Sequence, residues 1–102
     1  MKVLKDLDSM GAMVIKIQQV STRGDPDIIL CFKGNFVALE LKTETGRASP
    51  LQLFKLGKVR QKGGAAFITD PNNWPDIRHY ISELNPTETK EIPTCLKSVL
   101  DN

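Results

Sequence analysis

Two short apolar runs, set three residues apart, constrain this chain more than any other feature. Residues 27–32 (DIILCF) and 36–42 (FVALELK) are rich in β-branched and aromatic side chains and flank Lys33-Gly34-Asn35. Such a pair around a tight turn reads as a β-hairpin. In the second run, alternation sends Phe36, Ala38, Glu40 and Lys42 to one face and Val37, Leu39 and Leu41 to the other.

The flanking segments supply the partners. Residues 2–10 carry Val3, Leu4 and Leu7 on one side and read as a short helix stopped by Gly11. Residues 12–20 (AMVIKIQQV) read as a strand, and STRGDP at 21–26 is turn chemistry. Ser49-Pro50-Leu51-Gln52 opens a helix with an N-cap, a proline at its first position and a capping-box glutamine. That helix runs to about Lys62 and ends at Gly63-Gly64. Residues 65–69 form another strand, and residues 75–84 a helix with Ile77, Tyr80, Ile81 and Leu84 on one face. The order α-β-β-β-α-β-α over residues 1–84 is an α/β domain. Residues 85–102 form a tail in which Ile92, Leu96, Val99 and Leu100 are apolar, suited to a short helix that packs on the core or against a second copy.

With 102 residues the chain holds one domain. Apolar residues at 40% and charged residues at 25% exclude disordered and fibrous classes. The longest uncharged apolar run is far short of a membrane helix. The opening MKVLKDLDSMGA has two aspartates and no apolar stretch, so it does not read as a signal peptide. Cys31 and Cys95 fit reduced thiols of a cytoplasmic protein. With His79 as the one histidine, a zinc site of thiolates and imidazoles is excluded.

The net charge of +2 hides an asymmetry. Residues 42–62 hold Lys42, Arg47, Lys55, Lys58, Arg60 and Lys62 against one acid, Glu44, a local balance of +5. The rest of the chain carries −3. A one-sided basic surface suits a polyanion, most commonly nucleic acid.

The hairpin also gathers chemistry. Glu40 and Lys42 are neighbours on one strand face, about 7 Å apart by strand rise. A two-residue turn at Lys33-Gly34 places Asp27 opposite Glu40, and one at Gly34-Asn35 places it opposite Lys42. A three-residue loop places it opposite Leu41. In the two tight registers, two carboxylates and a lysine converge at the open end of the hairpin. Two carboxylates from different strands suit a hard cation such as Mg²⁺ or Mn²⁺. Such a cation activates water and polarises a phosphoryl oxygen, and a lysine beside it can neutralise developing charge.

Pro26-Asp27 and Glu40-Leu41-Lys42, in this element order, resemble the two half-motifs of the PD-(D/E)XK nuclease superfamily. Gly24 ahead of Pro26-Asp27, Gly46-Arg47-x-Ser49-x-x-Gln52 and Lys62-Gly63-Gly64 before a strand are similar to the VRR-NUC (virus-type replication-repair nuclease) domain. The resemblance covers roughly residues 1–84. It implies a restriction-endonuclease-like α/β core, a mixed sheet flanked by helices. It further implies Asp27, Glu40 and the Leu41 carbonyl as ligands of Mg²⁺ or Mn²⁺, Lys42 as the catalytic lysine, and Gln52 approaching the site. Arg47, Ser49, Lys55, Lys58 and Lys62 would contact DNA. The implied activity is metal-dependent hydrolysis of DNA phosphodiesters, selective for a junction, flap or splayed end, by a homodimer in the cytoplasm of a bacterium or a phage-infected host cell.

The chain departs from the family twice. Residues 1–12 contain no glutamate, so either Asp6 or Asp8 stands in for the first-helix carboxylate or that contribution is absent. Leu56 stands where an aromatic residue is common. Asp25 reads as solvent-facing or capping, Ser21, Thr22 and Arg23 as loop residues within reach of phosphate, His79 as structural or exposed, and Trp74 as a packing residue. Two other readings compete: a non-catalytic DNA-binding module that keeps the fold, and an assembly protein whose basic helix meets an acidic partner.

Overall fold

The computed structural model describes residues 1–17, 24–88 and 91–97. At its centre, β2 (Ile28–Phe32) and β3 (Asn35–Leu41) form the hairpin. Lys33 and Gly34 connect them with φ of 52° and 81°, the positive pair that a two-residue turn needs to match strand twist. Phe32 therefore pairs with Asn35 and Ile28 with Leu39. Continuing that register sets Asp27 opposite Glu40, the first of the three alternatives.

β1 (Met13–Lys16) pairs antiparallel with β2, and β4 (Ala65–Thr69) pairs parallel with β3. The sheet is mixed, in the order β1-β2-β3-β4. A parallel neighbour requires a crossover, and α2 (Pro50–Gln61) supplies it.

The two faces are covered differently. On one, α1 (Val3–Ser9) and α3 (Trp74–Ser82) bring Val3, Leu7, Trp74, Ile77 and Ile81 against Ile28, Leu30, Phe32, Val37 and Leu39. These residues form the main core, and Leu7, Val37, Leu39 and Ile81 are fully buried. On the other face α2 sets Leu56 onto Ala38 and Ala66, flanked by Ile29, Val59 and Ile68. Alanines at both strand positions let the helix lie close to the sheet. Leu56, where an aromatic residue was expected, is thus a packing residue.

The strand expected over residues 12–20 is shorter, Met13–Lys16, and residues 18–23, with Ser21, Thr22 and Arg23, lie outside the described residues. The tail begins against the hairpin, where the Thr87 N–H donates to the Lys33 carbonyl at 2.9 Å. Its one described helix is α4 (Thr94–Lys97). Ile92 and Leu96 are exposed, and Val99 and Leu100 fall outside the described residues. Cys31 and Cys95 are both free and exposed. Among the described residues, no helix is long and apolar enough to cross a membrane.

Candidate active site

The open end of the hairpin lies under the first turn of α2. Ser49 caps that helix: its hydroxyl accepts from the Gln52 N–H at 3.1 Å, and the Ser49 N–H donates to Gln52 Oε1 at 2.8 Å. The other end of the same amide, Nε2, donates to Glu40 Oε2 at 3.0 Å. The capping and site-facing roles of Gln52 thus coexist in one conformation, each taken by a different atom.

Glu40 is 2% exposed. Strand alternation turns it toward α2, beside Ala38, and the helix covers it. Its Oε2 also lies 3.4 Å from Lys42 Nζ, while its buried Oε1 has no hydrogen-bond partner. Burial, reinforced by the neighbouring Asp27 carboxyl, pushes the Glu40 pKa up to about 7; Lys42 opposes the shift without cancelling it.

Asp27 sits just before β2, and its Oδ2 accepts from the Leu41 N–H at 2.8 Å. In a strand, the N–H and C=O of one residue point the same way across the ladder, so the Leu41 carbonyl is directed to the Asp27 side. The next residue faces β4, where the Lys42 N–H donates to the Thr69 carbonyl at 2.8 Å.

The turn before Asp27 is fastened to α2. Gly24 has φ of 82°, and a Cβ there would run into the Leu51 side chain. Asp25 Oδ1 accepts from Lys55 Nζ at 2.7 Å. Asp25, expected to face solvent or cap the turn, is partly exposed and also pairs with a lysine thirty positions away, which no local spacing announces. Lys55, expected at DNA phosphates, already has a carboxylate beside it.

The other expected residues divide by surroundings. Arg47, Lys58 and Lys62 are exposed, and Lys58 lies over the Phe54 ring at 5.3 Å. Arg60 turns toward β4, donating to the Ala66 carbonyl at 2.9 and 2.6 Å. Asp6 does not serve the site as a spare carboxylate; its Oδ2 accepts from the Trp74 indole at 2.8 Å, joining α1 to α3. Asp8 and His79 are exposed, and Trp74 is buried as a packing residue.

The donor set has a definite character. Among the described residues, no group of three or more His, Cys, Asp or Glu side chains could hold a metal ion. What converges is two carboxylates and a backbone carbonyl, all oxygen. A buried carboxylate oxygen without a partner, pressed against a second carboxyl, is a costly arrangement that a cation relieves. Oxygen donors few in number fit Mg²⁺ or Mn²⁺, which take one or two carboxylates and leave positions for water and phosphate.

Among solved structures, the chain is similar to that of Hjc, a Holliday junction resolvase from the archaeal hyperthermophile Archaeoglobus fulgidus. The TM-score is 0.53 at 23% identity, and 69% of this chain is covered. The two share a core fold. The mixed sheet with its flanking helices is therefore the restriction-endonuclease-like core that the sequence led one to expect. The match spans 63% of the resolvase's length. No protein-family model and no curated protein matches the chain.

Proposed function

We propose that this chain is a metal-dependent DNA endonuclease that hydrolyses phosphodiester bonds at branched or splayed DNA. The observation that carries this reading is the buried Glu40 carboxylate, one oxygen unpartnered, beside Asp27 and within 3.4 Å of Lys42. The fold shared with a Holliday junction resolvase supports it. Asp27, Glu40 and the Leu41 carbonyl would hold Mg²⁺ or Mn²⁺. When bound, such a cation supplies Lewis acidity toward a phosphoryl oxygen and acidifies water.

The protein's own groups do the rest. Gln52 fixes the Glu40 carboxylate through its 3.0 Å hydrogen bond. Lys42 Nζ offers its positive charge to the phosphate as negative charge builds on it. Arg47, Lys58 and Lys62 track the backbone phosphates, contacts that position DNA without reading its sequence. A domain this small has little surface for a base code, which favours recognition of DNA shape. Within nucleases of this fold, the Gly24 to Asp27 and Gly46 to Gln52 motifs resemble the VRR-NUC type and favour products with 5′-phosphate and 3′-hydroxyl ends. Cutting both strands of a junction calls for two sites, hence two copies, in the cytoplasm of a bacterium or phage-infected cell.

The deciding experiment is cleavage of labelled four-way junction, flap and plain duplex DNA with Mg²⁺, Mn²⁺ or EDTA, alongside Glu40→Ala and Lys42→Ala. Metal-dependent cutting that both substitutions abolish, ranked junction or flap above duplex, is the expected result. Wild-type protein that binds DNA but cuts nothing in either metal would make it a binding module instead.

A further inference from the structure

α2 carries more on its outer surface than its packing needs. A helix laid on a sheet keeps an apolar stripe inward and turns polar residues to water. Leu56 and Val59 are that stripe. Yet Leu53 and Phe54 face outward, 52% and 60% exposed. Leu51 lies against Gly24, whereas the Phe54 ring meets a cation, with Lys58 Nζ 5.3 Å from its centroid. Gly57 stands three residues further on, on the same side of the helix. Glycine is disfavoured inside a helix relative to alanine. No close approach calls for it here, since a Cβ would meet nothing within 4 Å. The missing side chain leaves the floor of a groove walled by Leu53, Phe54, Lys58 and Gln61.

The shape and charge of this groove select its occupant. From Pro50 to Gln61 the helix bears Lys55, Lys58 and Arg60 and no acid. A second copy seated here would bring like charge against like charge. An acidic protein segment would satisfy the lysines but leave an aromatic ring and a bare backbone floor without a flat partner. Nucleic acid brings both phosphates and flat bases. In a duplex the base faces are already stacked, so an unpaired base is the one with a face to offer the ring.

We propose that Phe54, above the floor left by Gly57, stacks an unpaired base of the DNA, and that this contact selects splayed or branched substrates over plain duplex. Phe54 lies two residues past Gln52, about 200° round the helix and about 3 Å along it. The ring is thus across the helix from the amide that holds Glu40, about 10–12 Å away. A strand leaving the active site over the first turn of α2 reaches it. Lys58 then meets the phosphate of the stacked nucleotide. Every base has a π-face, so the contact reads pairing state and not sequence. The base subsite rests on the nuclease reading for its place beside a cleavage site, but binding there does not require cleavage.

The test is fluorescence anisotropy of labelled splayed-arm DNA and of blunt duplex in EDTA, with Phe54→Ala, Phe54→Trp and Gly57→Leu. Phe54→Ala should weaken binding of the splayed DNA about 10-fold, the scale of one base–aromatic stack, and leave duplex affinity unchanged. Phe54→Trp should keep the preference. Gly57→Leu fills the groove with a better helix former, so it should lose the preference with circular dichroism intact. A 2-aminopurine in the unpaired arm, whose emission falls on stacking, should be quenched by the wild type and not by Phe54→Ala. The proposal is overturned if Phe54→Ala weakens both DNAs equally or neither, if the wild type quenches no 2-aminopurine, or if it binds neither DNA. A fall in mass by light scattering in Phe54→Ala, with DNA affinity unchanged, gives the ring to a protein contact instead. Cleavage is scored separately. A protein that stacks the base but cuts nothing in Mg²⁺ or Mn²⁺ refutes only the nuclease, and one that cuts splayed DNA over duplex equally well without the ring refutes only the stacking.

Discussion

The two ends of the β2–β3 hairpin are built to opposite rules. At the turn end, Asn35 Nδ2 donates to the carbonyls of Phe32 and Asn85, and the Lys33 carbonyl accepts from the Thr87 N–H. Backbone groups there are met by neighbours, and the first residues of the tail lock over the turn. At the open end, two carboxyls face each other, one of them 2% exposed with an oxygen that no donor meets. A sequence shaped for stability alone would place an apolar residue at position 40, as it does at 38 and 39. The contrast teaches that the closed end, the core beneath and the capped helix above hold the open end in a geometry it would not adopt by itself.

The sharpest way to break the contrast is to remove the costly carboxylate. Glu40→Ala should lower cleavage of a labelled junction by about 10³-fold or more, since the cation's share of the barrier is several kcal/mol. Replacement by glutamine should also expose the cost in stability. The Glu40 pKa is about 7 in the fold against 4.5 unperturbed. Between those values the folded state binds more protons than the unfolded one, so stability falls as pH rises through that window. The loss should total about 3 kcal/mol in EDTA. Urea unfolding at pH 5 and pH 7.5 measures it, and Glu40→Gln should flatten the dependence.

Gly34→Ala attacks the other end. A Cβ at this left-handed position would collide with the Thr87 hydroxyl, and the fold should lose about 1–3 kcal/mol in urea titration. Cleavage per folded molecule should stay unchanged, which separates the ends. The mildest change is Gln52→Glu. It keeps an oxygen for the Ser49 N–H, so α2 should remain intact by circular dichroism. It also faces Glu40 with a second carboxylate in place of a donor. Cleavage should fall about 10-fold, the usual size for a residue that orients a metal ligand.

Much of this was legible beforehand because strands have a period of two. Once residues 36–42 were read as a strand, Glu40 and Lys42 had to share a face with Ala38, and the structure bears out that alternation. The register was less legible. Asn35 tolerates positive φ better than lysine does, so the turn could have been written at Gly34-Asn35; the bonds Asn35 makes to Phe32 and Asn85 favour the other choice. Ser49 and Gln52 announced a capping box, but only the packed helix brings Gln52 to Glu40. The Asp25–Lys55 pair was invisible for the same reason. It depends on where α2 lands across the sheet, a tertiary fact with no local period.

Gln52 has a mechanical consequence. Its Oε1 is committed to the helix backbone, so the amide cannot flip, and Nε2 is aimed at the Glu40 carboxylate. The side chain is a strut of fixed length between the N-terminus of α2 and the middle of the active site. Whatever pulls on the lysine-bearing surface of that helix is felt at Glu40 through one rigid group. Asparagine, a methylene shorter, could hold the helix end or the carboxylate, but not both.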